Sequence, residues 1–284
     1  MFEYSTKLKR KINGLKLVAN LEHKALHVLL RLYLTKKRRD KLINQGILNS
    51  ETIIRYFLGT HAFNLFNSAH FLSFSGGFRL VIAWQHTELP SVIQEMRESY
   101  LLPKEGDVVI DVGANYGFYS LVCSRLIGKE GSIIAFEPET RNYEVLLANL
   151  RLNDISNVKT FRMALGDFDG ETRLYLNDHP GMHSMIFQRS RRFQTAQMKK
   201  LDTILKELEI GKIDLIKLDA EGAELKILQG ALKTILLYRP TLTIAAYHYP
   251  KESEDIEEFL KINAGFYRIV KTKGREGSFI HALC

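Results

Sequence analysis

The sequence predicts an α/β fold: a doubly wound, mostly parallel sheet preceded by a basic, mainly helical extension. Three observations carry this. From Gly106 onward, apolar β-rich runs at residues 108–112, 132–136, 158–163, 213–218 and 240–247 alternate with helical patterns beginning near Gly117, Thr140, Gly222 and Ser253. Continuous apolar strands joined by helices are buried on both faces, as a parallel sheet requires. Residues 266–271 and 278–283, around Lys273-Gly-Arg-Glu-Gly277, have the pattern of an antiparallel hairpin closing that sheet. Charge, finally, is segregated: residues 1–50 carry twelve basic side chains and three acids, a net of +9, and the other 234 residues sum to −1.

Taken in order, residues 1–66 read as a basic helical arm. Leu8, Ile12, Leu15, Leu26, Leu29, Leu30 and Tyr33 recur at helical steps, with lysines and arginines on much of the other face. Such a helix lies on an anionic membrane surface, binds nucleic acid, or packs its apolar stripe on its own domain or a partner protein. The apolar stretch 25–34 is interrupted by His27 and Arg31 and falls short of the roughly 20 residues a membrane span needs. It also lacks the form of a signal peptide. Residues 67–104 read as a hairpin around Gly76-Gly77 and a lead-in helix ending near Tyr100, and residues 105–284 as the α/β domain.

A composition 45% hydrophobic and 25% charged excludes collagen and low-complexity disorder. Two cysteines, Cys123 and Cys284, exclude a disulfide framework. The expected location is cytoplasmic, or peripheral to a membrane through the arm.

The densest signal follows the first strand of the domain. Asp111 ends that strand, and Gly113, Asn115 and Gly117 open the next helix. In a doubly wound sheet this turn borders the crevice where ligands bind, and its glycines admit close backbone approach. A dinucleotide fingerprint has G-x-G-x-x-G; here the spacing is Gly113-x-x-x-Gly117 behind a carboxylate. An anion there repels a pyrophosphate and attracts a cation, which favours S-adenosylmethionine, a sulfonium without phosphate, over NAD. No Gly-Lys-Ser/Thr follows, so a P-loop is excluded. Glu137 ends the second strand twenty residues after Gly117, where a Rossmann-type fold places the acid that binds a ribose. Each acid alone could instead cap the following helix.

Five motifs in order then carry a resemblance: Val109-Ile-Asp-Val-Gly-Ala-Asn-Tyr-Gly-Phe-Tyr119, Ala135-Phe-Glu-Pro138, Ala164-Leu-Gly-Asp-Phe-Asp-Gly170, Leu201-Asp-Thr-Ile-Leu205 and Ile216-Lys-Leu-Asp-Ala-Glu-Gly-Ala-Glu224. Over roughly residues 86–284 the sequence resembles the FkbM-type class I methyltransferases. The resemblance implies a Rossmann-like seven-stranded sheet with one antiparallel strand, S-adenosylmethionine over the strand tips, and O-methylation of a hydroxyl on a glycan, lipid or small metabolite. It further implies that Gly113, Ala114, Asn115 and Gly117 hold the methionine end, Glu137 the ribose, and that Ala164 and Leu165 flank the adenine.

For the chemistry, Lys217 and Asp219 end the fourth strand on one side of it, and Asp219 is placed to hold the cofactor's amino end, orient the substrate or accept a proton. A structural ion pair between the two is the alternative. His248, ending the fifth strand, is the most suitable base in the chain. FkbM-like proteins often carry a glutamate and a histidine at this strand end, whereas here Tyr247 takes the acidic place. No metal site is expected: His179 and His183 have ligand spacing, but Pro180-Gly181 between them breaks a helix. Residues 177–198, with Arg189, Arg191 and Arg192, read as a mobile polar loop that could hold an acidic substrate, or as a solvated charge run.

The expected activity is therefore O-methyl transfer, with a nucleic-acid methyltransferase or an inactive scaffold as alternatives. Nucleic acid is the weaker partner, since Leu218-Asp-Ala-Glu-Gly222 lacks the Asn/Asp-Pro-Pro-aromatic run that grips base amines and the domain is near neutral. An NAD oxidoreductase is weaker still.

Overall fold

The computed structural model describes residues 70–73, 79–82, 99–179, 181–188, 190–274 and 277–284. The chain divides into two compact units, residues 1–85 and 86–284. In the first, β1 (His70–Ser73) and β2 (Arg79–Ile82) pair antiparallel with His70 opposite Ile82, and the expected Gly76-Gly77 turn lies outside the described residues. The basic arm lies outside the described residues, as does the lead-in helix apart from its end at Ser99 and Tyr100.

The second unit runs β3 (Val108–Val112), α1 (Phe118–Leu126), β4 (Ser132–Phe136), α2 (Thr140–Leu152), β5 (Val158–Phe161), β6 (Ala164–Leu165), β7 (Gly170–Tyr175), β8 (Phe193–Lys199) and α3 (Leu201–Glu207). There follow β9 (Leu215–Leu218), α4 (Glu224–Gly230), α5 (Leu232–Tyr238), β10 (Thr241–Ala245), α6 (Glu252–Asn263), β11 (Arg268–Lys273) and β12 (Ser278–Leu283). Seven strands form one sheet in the order β11-β12-β10-β9-β3-β4-β5. The pairs from β10 to β5 are parallel, and β12 runs antiparallel to both its neighbours. This is the seven-stranded, mostly parallel sheet with one antiparallel strand that the sequence leads one to expect.

Strand order reverses beside β3: the chain moves to β4 and β5 on one side, then returns to β9 and β10 on the other. Such a reversal opens a crevice at the carboxyl ends of β3 and β9. Asp111 pairs with Lys217 and Val112 with Leu218 in register there, which brings the two strand-end motifs together although 106 residues separate them.

The two faces of the sheet differ. One presents Ile110, Val112, Phe136, Ile216, Leu218 and Ile244 to a continuous apolar core with α3, α4, α5 and α6. The other carries a buried polar row in which Asp111, Lys217, Thr243 and His281 are successive cross-strand neighbours, each at most 6% exposed. Thr243 Oγ1 lies 3.1 Å from His281 Nδ1, and Thr272 Oγ1 2.9 Å from His281 Nε2, so the row is hydrogen-bonded at its far end. Its other end lies under the crevice.

A second sheet, β6-β8-β7, corrects the expectation for residues 177–198: β8 is a strand, not loop, pairing Gly170 with Met198 through to Tyr175 with Phe193. No helix among the described residues is long and apolar enough to cross a membrane.

Candidate active site

The turn after β3 takes three left-handed residues, Gly113 (φ 72°), Asn115 (φ 50°) and Gly117 (φ 84°). Its amides are spent within the protein. Gly113 N and Ala114 N both donate to Phe136 O at 3.0 Å, Asn115 N to Glu137 Oε2 at 2.8 Å, Tyr116 N to Asn115 Oδ1 at 2.6 Å and Gly117 N to Ala114 O at 2.8 Å. A phosphate at a helix start needs such N–H groups free. What the crevice offers instead are acceptors.

Glu137 is the first of these. It is nearly sealed, and its other oxygen accepts the Glu139 amide at 2.9 Å. Burial pushes its carboxyl up to about 7, against the pull of the two amide hydrogen bonds.

Asp111 sits differently from the sequence expectation. It is fully buried beneath the turn, Oδ2 accepting from Ser120 Oγ at 2.6 Å and Oδ1 standing 3.2 Å from Lys217 Nζ. Alternation along β3 turns it onto the α1 face, and Lys217 neutralises it, so its charge does not act as an open anion toward a ligand. Lys217, expected near the chemistry, is a brace: Nζ also donates to Val112 O at 3.1 Å and Gly113 O at 2.9 Å, holding the turn. Ala164 and Leu165, implied as adenine neighbours, have side chains sealed in the core at 2% and 1% exposure, on a strand paired with β8.

Asp219 is the acid that faces outward, its side chain 29% exposed just past the end of β9. Tyr100 Oη donates to Oδ2 at 2.8 Å, Lys217 Nζ lies 3.9 Å away, and His248 Nε2 stands 3.5 Å from Oδ1. Burial raises its pKa, but Lys217 and His248 outweigh this and hold the carboxyl down near about 2.

His248 is enclosed by acids. Its side chain is 3% exposed, with Nδ1 3.2 Å from Glu252 Oε2 and 3.4 Å from Glu224 Oε1. Burial alone would lower its pKa; Asp219, Glu224 and Glu252 drive it far above the ordinary range instead. The ring therefore carries its proton at neutral pH, which sets it against the role of free base that its position suggests. Sequence reasoning missed Tyr100, whose partner is 119 residues away. It missed Glu252 too, although His248-x-x-x-Glu252 was a visible signal.

Over this edge lie residues 177–179 and 181–188. Asn177 N donates to His183 Nδ1 at 2.9 Å, Ser184 Oγ donates to Glu221 O at 2.7 Å, and the Phe187 ring lies against Gly222. Burial, helped by His179, lowers the His183 pKa to about 4. Arg192 pairs with Asp178 on the exposed side.

Residues 111–268 match the family described as Methyltransferase FkbM domain. The chain belongs to that family. Its relatives include the methyltransferase sdnD of Sordaria araneosa, 32% identical in an alignment 154 positions long that covers 43% of this chain and 59% of the relative. The hexuronic acid methyltransferase AglP of Haloferax volcanii is 26% identical over 161 residues, 55% of this chain and 62% of the relative. The chain thus spans about three fifths of the length of these curated relatives. An FkbM methyltransferase structure from Methylobacillus flagellatus KT superposes with a TM-score of 0.51 at 20% identity, covering 64% of this chain and 45% of that one, and shares the fold. S-adenosylmethionine is the methyl donor that goes with this family, and the crevice presents the Glu137 and Asp219 carboxylates beside a turn whose amides are already engaged.

Proposed function

We propose that this FkbM-family chain methylates a hydroxyl on a glycan, lipid or small metabolite. The observation that carries the reading is Asp219, an ionised carboxylate at the crevice mouth, fixed by Tyr100 and Lys217 and open on one side. When bound, S-adenosylmethionine supplies a methyl on a positively charged sulfur, so the protein's task is alignment more than activation. Asp219 accepts a hydrogen bond from the acceptor hydroxyl or the donor's ammonium. Held near a pKa of about 2, it is a weak base and a strong orienter. Lys217 keeps the turn closed against β9, and Glu137 is placed to receive ribose hydroxyls.

Uronate-bearing glycans are the acceptors to try first, because AglP bears the name hexuronic acid methyltransferase and Arg191 and Arg192 are exposed cations on the same domain. The test is calorimetry with S-adenosylmethionine, followed by labelled-methyl uptake on glycans, lipids and their deoxy analogues. Binding of NAD in place of S-adenosylmethionine overturns the reading. Asp219→Asn is expected to lower kcat about 100-fold through lost alignment, and to lower the melting temperature at neutral pH as well, because a carboxylate held down at about 2 by Lys217 and His248 contributes stability there.

Glu137 makes the donor's affinity depend on pH. With a carboxyl pKa near 7, only the ionised fraction accepts two ribose hydroxyls, so affinity should rise roughly tenfold between pH 6 and pH 8. Stability moves the other way. A carboxyl whose folded pKa is raised contributes stability fully below its unfolded value, and loses it as pH rises through about 7. Glu137→Gln should flatten both curves, which calorimetry and thermal melts across that window will show.

A further inference from the structure

We infer that Asp219, Glu224 and His248 form a binding site for a divalent first-row cation such as Mn²⁺. Each offers one ligand atom, and the three atoms lie within 4.8 Å of one another. Around a cation with bonds of ~2.1 Å, ligand atoms stand roughly 3 to 4 Å apart, so only a small contraction is needed. The independent observation is unmet polar capacity. Glu224 is fully buried with Oε2 lacking a hydrogen-bond partner among the described residues, and His248 Nε2 is likewise buried without one among them, Asp219 Oδ1 standing 3.5 Å off. Buried polar atoms are nearly always paired, and unpaired ones in a cluster point to a missing partner.

The surroundings are those of a ligand set held in place. Ala220 N donates to Glu224 Oε1 at 2.5 Å, and Glu252 Oε2 accepts the His248 amide at 2.6 Å while lying 3.2 Å from Nδ1. A carboxylate on one ring nitrogen is the usual way a ligating imidazole is oriented. Three carboxylates face one ring within 3.5 Å of its nitrogens, more acceptor oxygens than the ring's two N–H groups satisfy, and a cation among them would give the remaining oxygens a partner. One imidazole with two carboxylates suits Mn²⁺, Fe²⁺ or Zn²⁺ better than Ca²⁺, which takes six or more oxygens. Entry is from the crevice, past the exposed side of Asp219.

The inference rests on this cluster and not on methyl transfer, and its test needs neither donor nor acceptor. The full chain is stripped with a chelator and titrated with Mn²⁺, free ion being followed by electron paramagnetic resonance and stability by thermal melting. The expected result is saturable binding with a rise in Tm, about ten- to a hundredfold weaker in Glu252→Gln and lost in Glu224→Gln. No saturable binding in the wild-type chain, or wild-type affinity in a folded Glu224→Gln, overturns it. Circular dichroism establishes whether each variant is folded, and the wild-type titration decides alone if Glu224→Gln is not.

Discussion

Gly113→Ala should abolish donor binding and cost the domain several kcal/mol of stability. Gly113 is where β3 turns over the end of β9, and a Cβ built on it falls 1.8 Å from Asp219 O and 2.9 Å from Asp219 C. Both are backbone atoms, so no rotamer relieves the contact. The φ of 72° adds the strain of a left-handed residue with a side chain, of order 1–3 kcal/mol where the surroundings enforce it. The turn must therefore move away from β9. That takes Ala114 and Asn115 off Phe136 O and Glu137, and disturbs Asp219, the acid on the other side of the crevice. A shift of an ångström at such a site costs on the order of 100-fold, and here both walls shift together. Calorimetry with S-adenosylmethionine should detect no binding, and urea unfolding should show a lowered midpoint. Gly211→Ala is the control: nothing among the described residues lies within 4 Å of its Cβ, and it should behave as the wild type.

The same crowding explains what the sequence did and did not reveal. β3, β4 and β12 were legible to the residue because each is a buried run on both faces, bounded by glycine or charge. β7 and β8 were not. Their sequences, GETRLY and FQTAQMK, bury one or two side chains each, so the alternation that marks a strand is faint, and arginines nearby suggested a loop. The helical run expected from Gly222 is two helices, α4 and α5, in ELKILQGALKTILLY. The break at Ala231 follows Gly230, where a Cβ would meet Gly166 O at 1.9 Å, a tertiary approach that no local pattern announces.

In the site, Asp111 and Glu137 were visible as acids at strand ends. Which of them faces a ligand depends on cross-strand register, and register is a property of the assembled sheet. Asp111 lies opposite Lys217 and is silenced, whereas the Glu137 carboxylate is held by the Asn115 and Glu139 amides and stays an acceptor. The histidine was legible as well, but the three acids that keep it charged come from the β9–α4 turn, α4 and α6.

Lys217→Met is expected to be the most destabilising single change in the polar row. The substitution keeps the length of the side chain and removes its charge. Asp111 would then be an uncompensated carboxylate at 0% exposure, retaining only the Ser120 hydroxyl, while Val112 O and Gly113 O lose their shared donor. Breaking a buried pair from one side costs about 3–5 kcal/mol. Asp111 must then take up a proton to stay buried, so the loss should shrink at low pH and grow toward neutrality, the opposite of a simple packing defect. Asp111→Asn added to Lys217→Met removes the stranded charge yet leaves Ser120 an acceptor, and should recover more than half the loss. Urea melts of the two single variants and the double variant form a closed cycle, in which a coupling of 0.5–3 kcal/mol is the usual range for contacting residues and roughly the upper end is expected here. Additive losses would mean that Lys217 stabilises the turn through its carbonyl contacts alone. Donor affinity separates the two roles further: the double variant, stable but without the brace over Val112 and Gly113, should still bind S-adenosylmethionine at least about tenfold more weakly, because the turn is no longer held against β9.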